Sequence, residues 1–338
     1  MRSRPPTIKD VAEQAGCGIA TVSRVLNGTG SASADTRRKV LSAANALGFE
    51  FSALGRSLQS SSTKTLGCIV PSLANPVFAE VVQAAQQEAH REGYQLILAC
   101  SEYDEVLELQ AARTLIAKQV DGLVLTVNNA ADSEALELIR DRNLPCCLVY
   151  NRSSFGLPAW AVDNRAAARE VARAFHSQGH VQTGFLALRF HRSDRSRERY
   201  EGFAAACREF GMADPLLLEI EEQGGTLLEL LGTLLAEHQA LTGIFASNDF
   251  LALAAMKAAR ALGKRIPDDL SLVGFDGIST GLLVDPHLAT AETDPRTMGQ
   301  GAVHSVLARL LDRPTPDLPS AAATFSFRAG GSLGPPVP

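Results

Sequence analysis

Residues 10–30, DVAEQAGCGIATVSRVLNGTG, hold two short apolar-patterned segments parted by a glycine-rich break. Just ahead, Thr7-Ile8-Lys9-Asp10 has the form of a capping box, a hydroxyl residue followed three positions later by an acid. Ile8, Val11, Ala12 and Ala15 then recur at i, i+3, i+4 and i+7, the spacing of one helix face, and Gly16 ends that helix. Gly18 opens the next one. On a helical wheel Val22, Val25 and Leu26 gather on one side, with Ala20, Ser23, Arg24 and Asn27 opposite. Helices this short do not hold their shape alone in water. A third follows, with Val40, Leu41, Ala44 and Leu47 expected on one face and Gly48 as its stop. Three such helices close one small core.

The outward face of the second helix carries small, hydroxyl, amide and guanidinium groups and no acid. An α-helix fits the major groove of DNA, where an arginine such as Arg24 can donate two hydrogen bonds to a guanine edge. Thr21, Ser23 and Asn27 suit phosphate contacts that fix register. A second helix presented this way is the arrangement of a helix-turn-helix module. The competing reading is a plain helical bundle with a polar outer face.

Charge points the same way. Residues 1–64 hold nine Lys/Arg against four Asp/Glu, a surplus of five, in a chain whose formal net charge is −5, so the remainder carries −10. A small basic head on an acidic body implies a polyanionic partner for the head alone. With 338 residues, 46% hydrophobic and 20% charged, the chain has the composition of an ordinary globular protein with more than one folding unit. Its six cysteines form no C-x-x-C pair and mostly lie in apolar runs such as LGCIVP and LPCCLVY, as small hydrophobes of a reducing compartment do. No signal-peptide pattern follows the N-terminus, and no apolar run of transmembrane length occurs, so the expected location is the cytoplasm. No phosphate-binding glycine loop and no metal-ligand histidine spacing is present, and no cofactor is expected.

Residues 51–65 change character, with a short helix-like piece from Ser52 to Leu58 and then three serines. From Leu66 short apolar runs alternate with amphipathic stretches. The runs are 66–70, 95–99, 121–127 and 146–150, and the pattern restarts with 183–188, 216–220, 242–247 and 270–276. Continuous apolar strands between helices indicate parallel sheets covered on both faces. Two such sets imply two doubly wound subdomains, and ligands bind such sheets at the carboxyl ends of the strands. SLANPVF, YNRSS, SND and FDG stand at such ends. Asp249 in SND is either a cap of the following helix or a ligand contact. The fold class is therefore α/β, with a three-helix helix-turn-helix head and a two-subdomain effector domain. The expected boundaries are 1–50 for the head, 51–65 for a hinge, 66–330 for the body and 331–338 for a Pro/Gly-rich disordered tail.

TIKDVAEQAGCGIATVSRVLNG resembles the DNA-binding head of the LacI/GalR family of bacterial transcription regulators, with Cys17 and Gly18 where the family usually has valine and serine. NPVFAEVVQAAQQEAHREGYQLILA, VDGLVL, RYEGF, SNDFLALAAMKAARALGKRIPDDLSLVGFDG and MGQGA carry the resemblance through a periplasmic-binding-protein-like body. The resemblance implies that Ile19, Ala20 and Arg24 read bases and that Leu58 wedges into the minor groove from a hinge helix that folds on DNA. The DNA-contact set is thus Thr7, Ile19, Ala20, Thr21, Ser23, Arg24, Asn27 and Leu58. It likewise implies effector contacts at Phe78, Asn151, Arg199, Asn248 and Asp276. Arg152, added to that set, and Arg195 lie near the implied cleft and favour an acidic sugar. The implied partners are double-stranded operator DNA, a small effector and a second copy of the chain, with no membrane. Two rivals are weighed against this. A transport-type solute-binding protein shares the body fold, and GISTG at 277–281 matches the nucleophile motif of a hydrolase that would use Ser279.

Overall fold

A computed structural model describes the chain apart from residues 1–3, 5, 28–30, 50–61, 189, 221–226, 315–321 and 338. The hinge segment with Leu58 lies outside the described residues. The chain divides into two compact units, residues 1–63 and 64–338.

In the first unit, α1 (Ile8–Ala15), α2 (Ile19–Asn27) and α3 (Ala34–Leu47) enclose one core. The acid of the capping box closes α1: the Asp10 carboxylate accepts from the Thr7 N–H at 2.6 Å and the Thr7 hydroxyl at 2.7 Å. Gly16, at φ 65°, ends the helix in the left-handed conformation that a side chain disfavours. The core is Val11, Ala12, Val22, Val25, Val40, Ala43 and Ala44. Leu41 is not in it. It is 47% exposed, and Ala43 takes the inward place. Val40, Ala43, Ala44 and Leu47 keep the i, i+3, i+4, i+7 spacing, and Leu41 falls one step off that face.

The second unit has two lobes, each a six-stranded sheet between helices. The strands are β1 (Thr65–Val70), β2 (Gln95–Cys100), β3 (Gly122–Leu125), β4 (Cys146–Val149), β5 (Ala159–Val162), β6 (Thr183–Leu188), β7 (Leu216–Ile220), β8 (Gly243–Ala246), β9 (Ser271–Asp276), β10 (Ala289–Thr293), β11 (Ala322–Ala323) and β12 (Phe325–Arg328). The helices are α4 (Pro76–Arg91), α5 (Glu105–Ala117), α6 (Glu134–Asp141), α7 (Asn164–Ser177), α8 (Asp194–Glu209), α9 (Leu227–Glu237), α10 (Asp249–Ala261) and α11 (Pro295–Leu310). The sheet orders are β11-β5-β4-β3-β1-β2 and β12-β10-β9-β8-β6-β7. All pairings are parallel except β12 with β10. In both sheets the winding reverses beside the first strand, between β1 and β3 and between β6 and β8. That is where such sheets leave a crevice at their carboxyl ends.

The chain crosses between lobes three times. After β5 it enters α7, which packs on α8, β10 and β12. After β10 it returns through α11, which packs on α4, β3, β4 and β5. Between β11 and β12 it crosses again. The first two crossings are fixed by helix caps: Asp163 accepts from the Arg165 and Ala166 N–H groups, and Asp294 from that of Thr297. One buried cluster runs through both lobes, from Leu66 and Tyr94 in the first to Phe203 and Phe275 in the second. Cys68, Cys146, Cys147 and Cys207 are buried, and Cys100 is exposed. Burial pushes the Cys68 thiol up to about 12 and those of Cys146 and Cys207 to about 11.

Two expectations need correction. Strands β5, β10, β11 and β12 are absent from the eight read from the sequence: β11 has two residues, β10 (ATAET) and β12 (FSFR) alternate polar with apolar, and β5 (AWAV) follows β4 with no helical stretch between them. The tail is ordered through residues 331–337. Ser332 is fully buried; its hydroxyl donates to the Leu272 carbonyl at 2.6 Å and accepts the Ala289 N–H at 2.9 Å. The Gly334 carbonyl accepts from the Ser271 hydroxyl at 3.1 Å and lies 3.0 Å from His180 Nε2. Glycine is needed at 330, where a Cβ would stand 2.5 Å from the Ala289 nitrogen and the His287 oxygen. Composition alone suggested disorder, and the backbone bonds of Ser332 to Leu272 and His287, with its side-chain bonds to β9 and β10, override it.

Ser332→Ala leaves the buried Ala289 N–H without its acceptor, so it is expected to cost about 1–3 kcal/mol of stability. Chemical denaturation of the two chains measures it.

Candidate functional site

On the head, Val22 and Val25 hold α2 against the core, which turns Ile19, Ala20 and Arg24 to solvent, with Thr21 and Ser23 half-buried beside them. Ile19 is 45% exposed, an unusual position for isoleucine with a core this close. Thr7 is tied to Asp10 at the start of α1. The side chain of Asn27 lies outside the described residues.

In the body, the strand ends of both lobes border a cavity of about 60 Å³. Phe78, Tyr103 and Tyr150 of the first lobe make one wall. The Phe78 ring meets Tyr150 edge-on at 5.5 Å and Tyr103 at 6.4 Å. Asn75, which caps α4, borders the same wall. The second lobe supplies Ser193, Arg195, Ser196, Arg199, Ser247, Asn248 and Asp276. Arg195 and Arg199 are one turn apart on α8 and both buried. Arg199 is anchored three ways. Its Nε donates to Asn164 Oδ1 at 2.9 Å, its Nη1 donates to the Ser247 carbonyl, and its guanidinium lies 3.5 Å from the centre of the Phe275 ring. Its Nη2 stands 4.0 Å from Asp276 Oδ1.

Burial dominates the electrostatics here. It lowers Arg199 to about 10, against the attraction of Asp276, and raises Asp276 to about 6, against the attraction of Arg199. The Tyr150 hydroxyl is also pushed well up by burial, and the Asp276 charge adds to this. Such a site suits a small polar ligand whose own groups complete the hydrogen bonds and offset the desolvation.

Of the effector contacts that the resemblance implies, Phe78, Arg199, Asn248 and Asp276 lie around this one cavity. Asn151 and Arg152 are not among the residues around this cavity. Asn151 is fully buried behind it, with Oδ1 accepting the Val127 N–H at 2.9 Å and Nδ2 donating to the Val127 carbonyl at 2.9 Å. The same amide donates to the Asp194 carboxylate, at 2.9 and 3.2 Å. Asp194 opens α8 in the other lobe. Its carboxylate also accepts the Ala130 N–H, its N–H donates to the Asn128 carbonyl, and Arg195 Nη1 donates to the Val127 carbonyl at 2.6 Å. These bonds fasten the N-terminus of α8 to the ends of β3 and β4, so Asn151 works as a latch between lobes. Arg152 turns to a separate opening of about 270 Å³ and pairs with Glu198 at 2.8 Å.

Asn75, Tyr150 and Ser247 lie in the strand-end stretches SLANPVF, YNRSS and SND without having been singled out, and Tyr103, Ser193 and Ser196 were not foreseen. Tyr150 and Ser247 directly follow β4 and β8, so the strand-end rule reaches them. Tyr103 and Ser196 come from farther along, and no spacing marks them. Ser279 is exposed on a 3-10 turn, Ser279–Leu282, not on a strand-to-α-helix elbow, and His287 Nδ1 is bonded to the Val284 carbonyl. Among the described residues no helix is long and apolar enough to cross a membrane.

Residues 7–51 match the family described as bacterial regulatory proteins, lacI family, and residues 63–317 match the periplasmic binding proteins and sugar binding domain of LacI family. The chain belongs to the LacI family. Among curated relatives, the ribose operon repressor of Halalkalibacterium halodurans is 33% identical over 91% of each chain. The transcriptional repressor PurR of Photobacterium profundum is 32% identical over 91% of this chain and 92% of its own. The regulator GalR of Escherichia coli K12 is 32% identical over 92% and 91%. A solved LacI-family regulator from Silicibacter pomeroyi superposes with a TM-score of 0.84 at 25% identity, over 98% of this chain and all of that one. The lac repressor dimer bound to operator and an anti-inducer shares the fold, with a TM-score of 0.83 at 24% identity over 97% and 99%. The chain is a helix-turn-helix transcription regulator, and its curated relatives are named as regulators rather than enzymes.

Asn151→Asp sets a carboxylate against Asp194, and two carboxylates that close raise at least one pKa. A carboxyl whose folded pKa is raised destabilises the fold once pH exceeds its unfolded value and stops doing so when protonated. The variant is expected to melt well below the parent at about pH 8 and to regain most of the difference by about pH 5. Parallel melting curves across that range would remove Asn151 from the latch.

Proposed function

We propose that this regulator is a cytoplasmic repressor whose operator affinity is set by a small metabolite, of the sugar or sugar-acid class, bound between the two lobes of the body. The observation that carries the reading is the buried pair Arg199 and Asp276, 4.0 Å apart at a cavity walled by three aromatic rings, with the buried Arg195 one turn away on α8. A polyol can bridge Arg199 and Asp276, and a carboxylate on it would share the Arg195 guanidinium with Asp194, which lies 3.3 Å from it. A relative named as a ribose operon repressor, and a matched domain described as sugar-binding, support the same class.

In this reading Ile19, Ala20 and Arg24 meet base edges, and Thr7, Thr21, Ser23 and Asn27 meet phosphates. Leu58 enters the minor groove from the hinge. Two heads of a homodimer, joined through the body, face the half-sites of a pseudo-palindromic operator, because the symmetry of the site mirrors that of the protein. The ligand acts by its different affinity for two lobe arrangements, since only a differential affinity shifts such an equilibrium.

The first test is a thermal-shift screen of the full chain with sugars, sugar acids, sugar phosphates, nucleosides and purines. A ligand at about 100 times its Kd adds roughly 2.7 kcal/mol and raises the melting temperature visibly. A sugar or sugar-acid hit that changes operator binding supports the proposal, and a hit confined to purines would move the effector class. Removing residues 1–64 is expected to abolish operator binding and to spare the hit. Arg24→Ala is expected to cost about 1–3 kcal/mol of operator affinity and to relax preference at one position per half-site.

A further inference from the structure

Asp249 is the first residue of α10 and is completely buried. It is neither the cap nor a cavity residue. The cap is Asn248, whose Oδ1 accepts the Leu251 N–H at 2.7 Å. The Asp249 carboxylate turns instead into the second lobe. Oδ2 accepts the Gly277 N–H at 2.7 Å and the Ile278 N–H at 2.8 Å, and Oδ1 accepts the Thr290 hydroxyl at 2.6 Å. Those two amides belong to the turn that leaves β9 and carries Asp276.

The turn has an unfavourable backbone. Asp276 has φ 119° and Gly277 φ 86°, and a side-chain-bearing residue keeps such a φ only when its surroundings hold it there. The holding groups surround it. Asp249 takes the two N–H groups, Arg328 donates to the Gly277 and Ile278 carbonyls at 3.3 and 3.4 Å, and Thr293 donates to the Asp276 carbonyl at 3.1 Å. Gly274 makes the room, since a Cβ there would come within 2.1 Å of Asp249 Oδ1. Burial of Asp249 raises its pKa to about 7, with the Asp276 charge adding and the three donors opposing.

We propose that Asp249 is a positioning residue of the effector site: by holding the Gly277 and Ile278 amides, it aims the Asp276 carboxylate into the cavity opposite Arg199 and so sets how tightly a hydroxyl-bearing ligand is gripped. The inference rests on the cavity being the effector site. An asparagine at 249 retains an oxygen for both N–H groups and an amide for Thr290 to accept, whereas alanine retains neither.

The test measures the affinity of the full chain for D-ribose, sodium D-gluconate and sodium D-galacturonate by thermal-shift titration. The variants are Asp249→Ala, Asp249→Asn, Thr290→Val and Asp276→Asn, with the ligand-free melting temperature as the folding control. For whichever probe the parent binds, Asp249→Ala is expected to weaken binding about tenfold or more, and Asp249→Asn to stay within about threefold of the parent. Because Asp249 acts through Asp276, Asp249→Ala is expected to add little in an Asp276→Asn background, a coupling that general destabilisation does not produce. Equal affinity of the parent and Asp249→Ala would overturn the inference and leave the effector site standing, as would full additivity with Asp276→Asn. If Asp249→Ala does not fold, Thr290→Val carries the test, and unchanged affinity in it is equally fatal. Failure of the parent to bind any probe would overturn the sugar-class site and this inference with it.

Discussion

Parallel strands cannot be joined by a tight turn, and most of this body follows from that constraint. Apart from β4 to β5 and β9 to β10, the parallel connections climb back through helices, so helices cover both faces of each sheet, and the loops leaving the strands collect at one end. Where the winding reverses, those loops part and leave a crevice. Two sheets of the same winding, sewn together by three crossings, enclose the crevice between them. The caps at Asp163 and Asp294 fix where the chain changes lobe, and the buried cluster through both lobes makes the crossings part of the core.

The crevice is a costly place for charge, and its polar groups are held accordingly. A guanidinium or carboxylate taken out of water needs hydrogen bonds in place of hydration. Arg199 has Asn164, the Ser247 carbonyl and the Phe275 ring, which leave its Nη2 toward Asp276. Asp194 takes donors from Asn151 and Ala130, and Arg195 spends one donor on Val127. The first set keeps a ligand-facing edge open, and the second fastens one lobe to the other. Both start from α8, so the helix that presents the arginines is also the one that bridges the lobes.

The head obeys a different economy. Seven small apolar side chains make its core, and valines and alanines allow three short helices to approach closely. With so little apolar surface to share, the outward residues of α2 are left to solvent. Ile19 stays exposed because the helix needs only Val22 and Val25 to dock.

The sequence by itself determined the two-part architecture, the three helices of the head and the eight apolar runs of the parallel sheets, while the positions Phe78, Arg199, Asn248 and Asp276 came only with the family resemblance. The first three are local signals: a hydrophobic period, a cap, a continuous apolar run. Tertiary structure decided what depends on distant partners. The fully buried amide of Asn151 faces Asp194 across the lobe boundary, a pairing that nothing near either residue announces. The tail is ordered by hydrogen bonds of Ser332 to Leu272 and Ala289, although its composition reads as disorder. Asp249 looks like a cap or a ligand contact in the chain and is neither, because its carboxylate is claimed by two amides that lie 28 and 29 residues away. Short-range pattern records which face of an element is apolar. It does not record which buried polar group will meet which other, since only the packed fold sets that geometry.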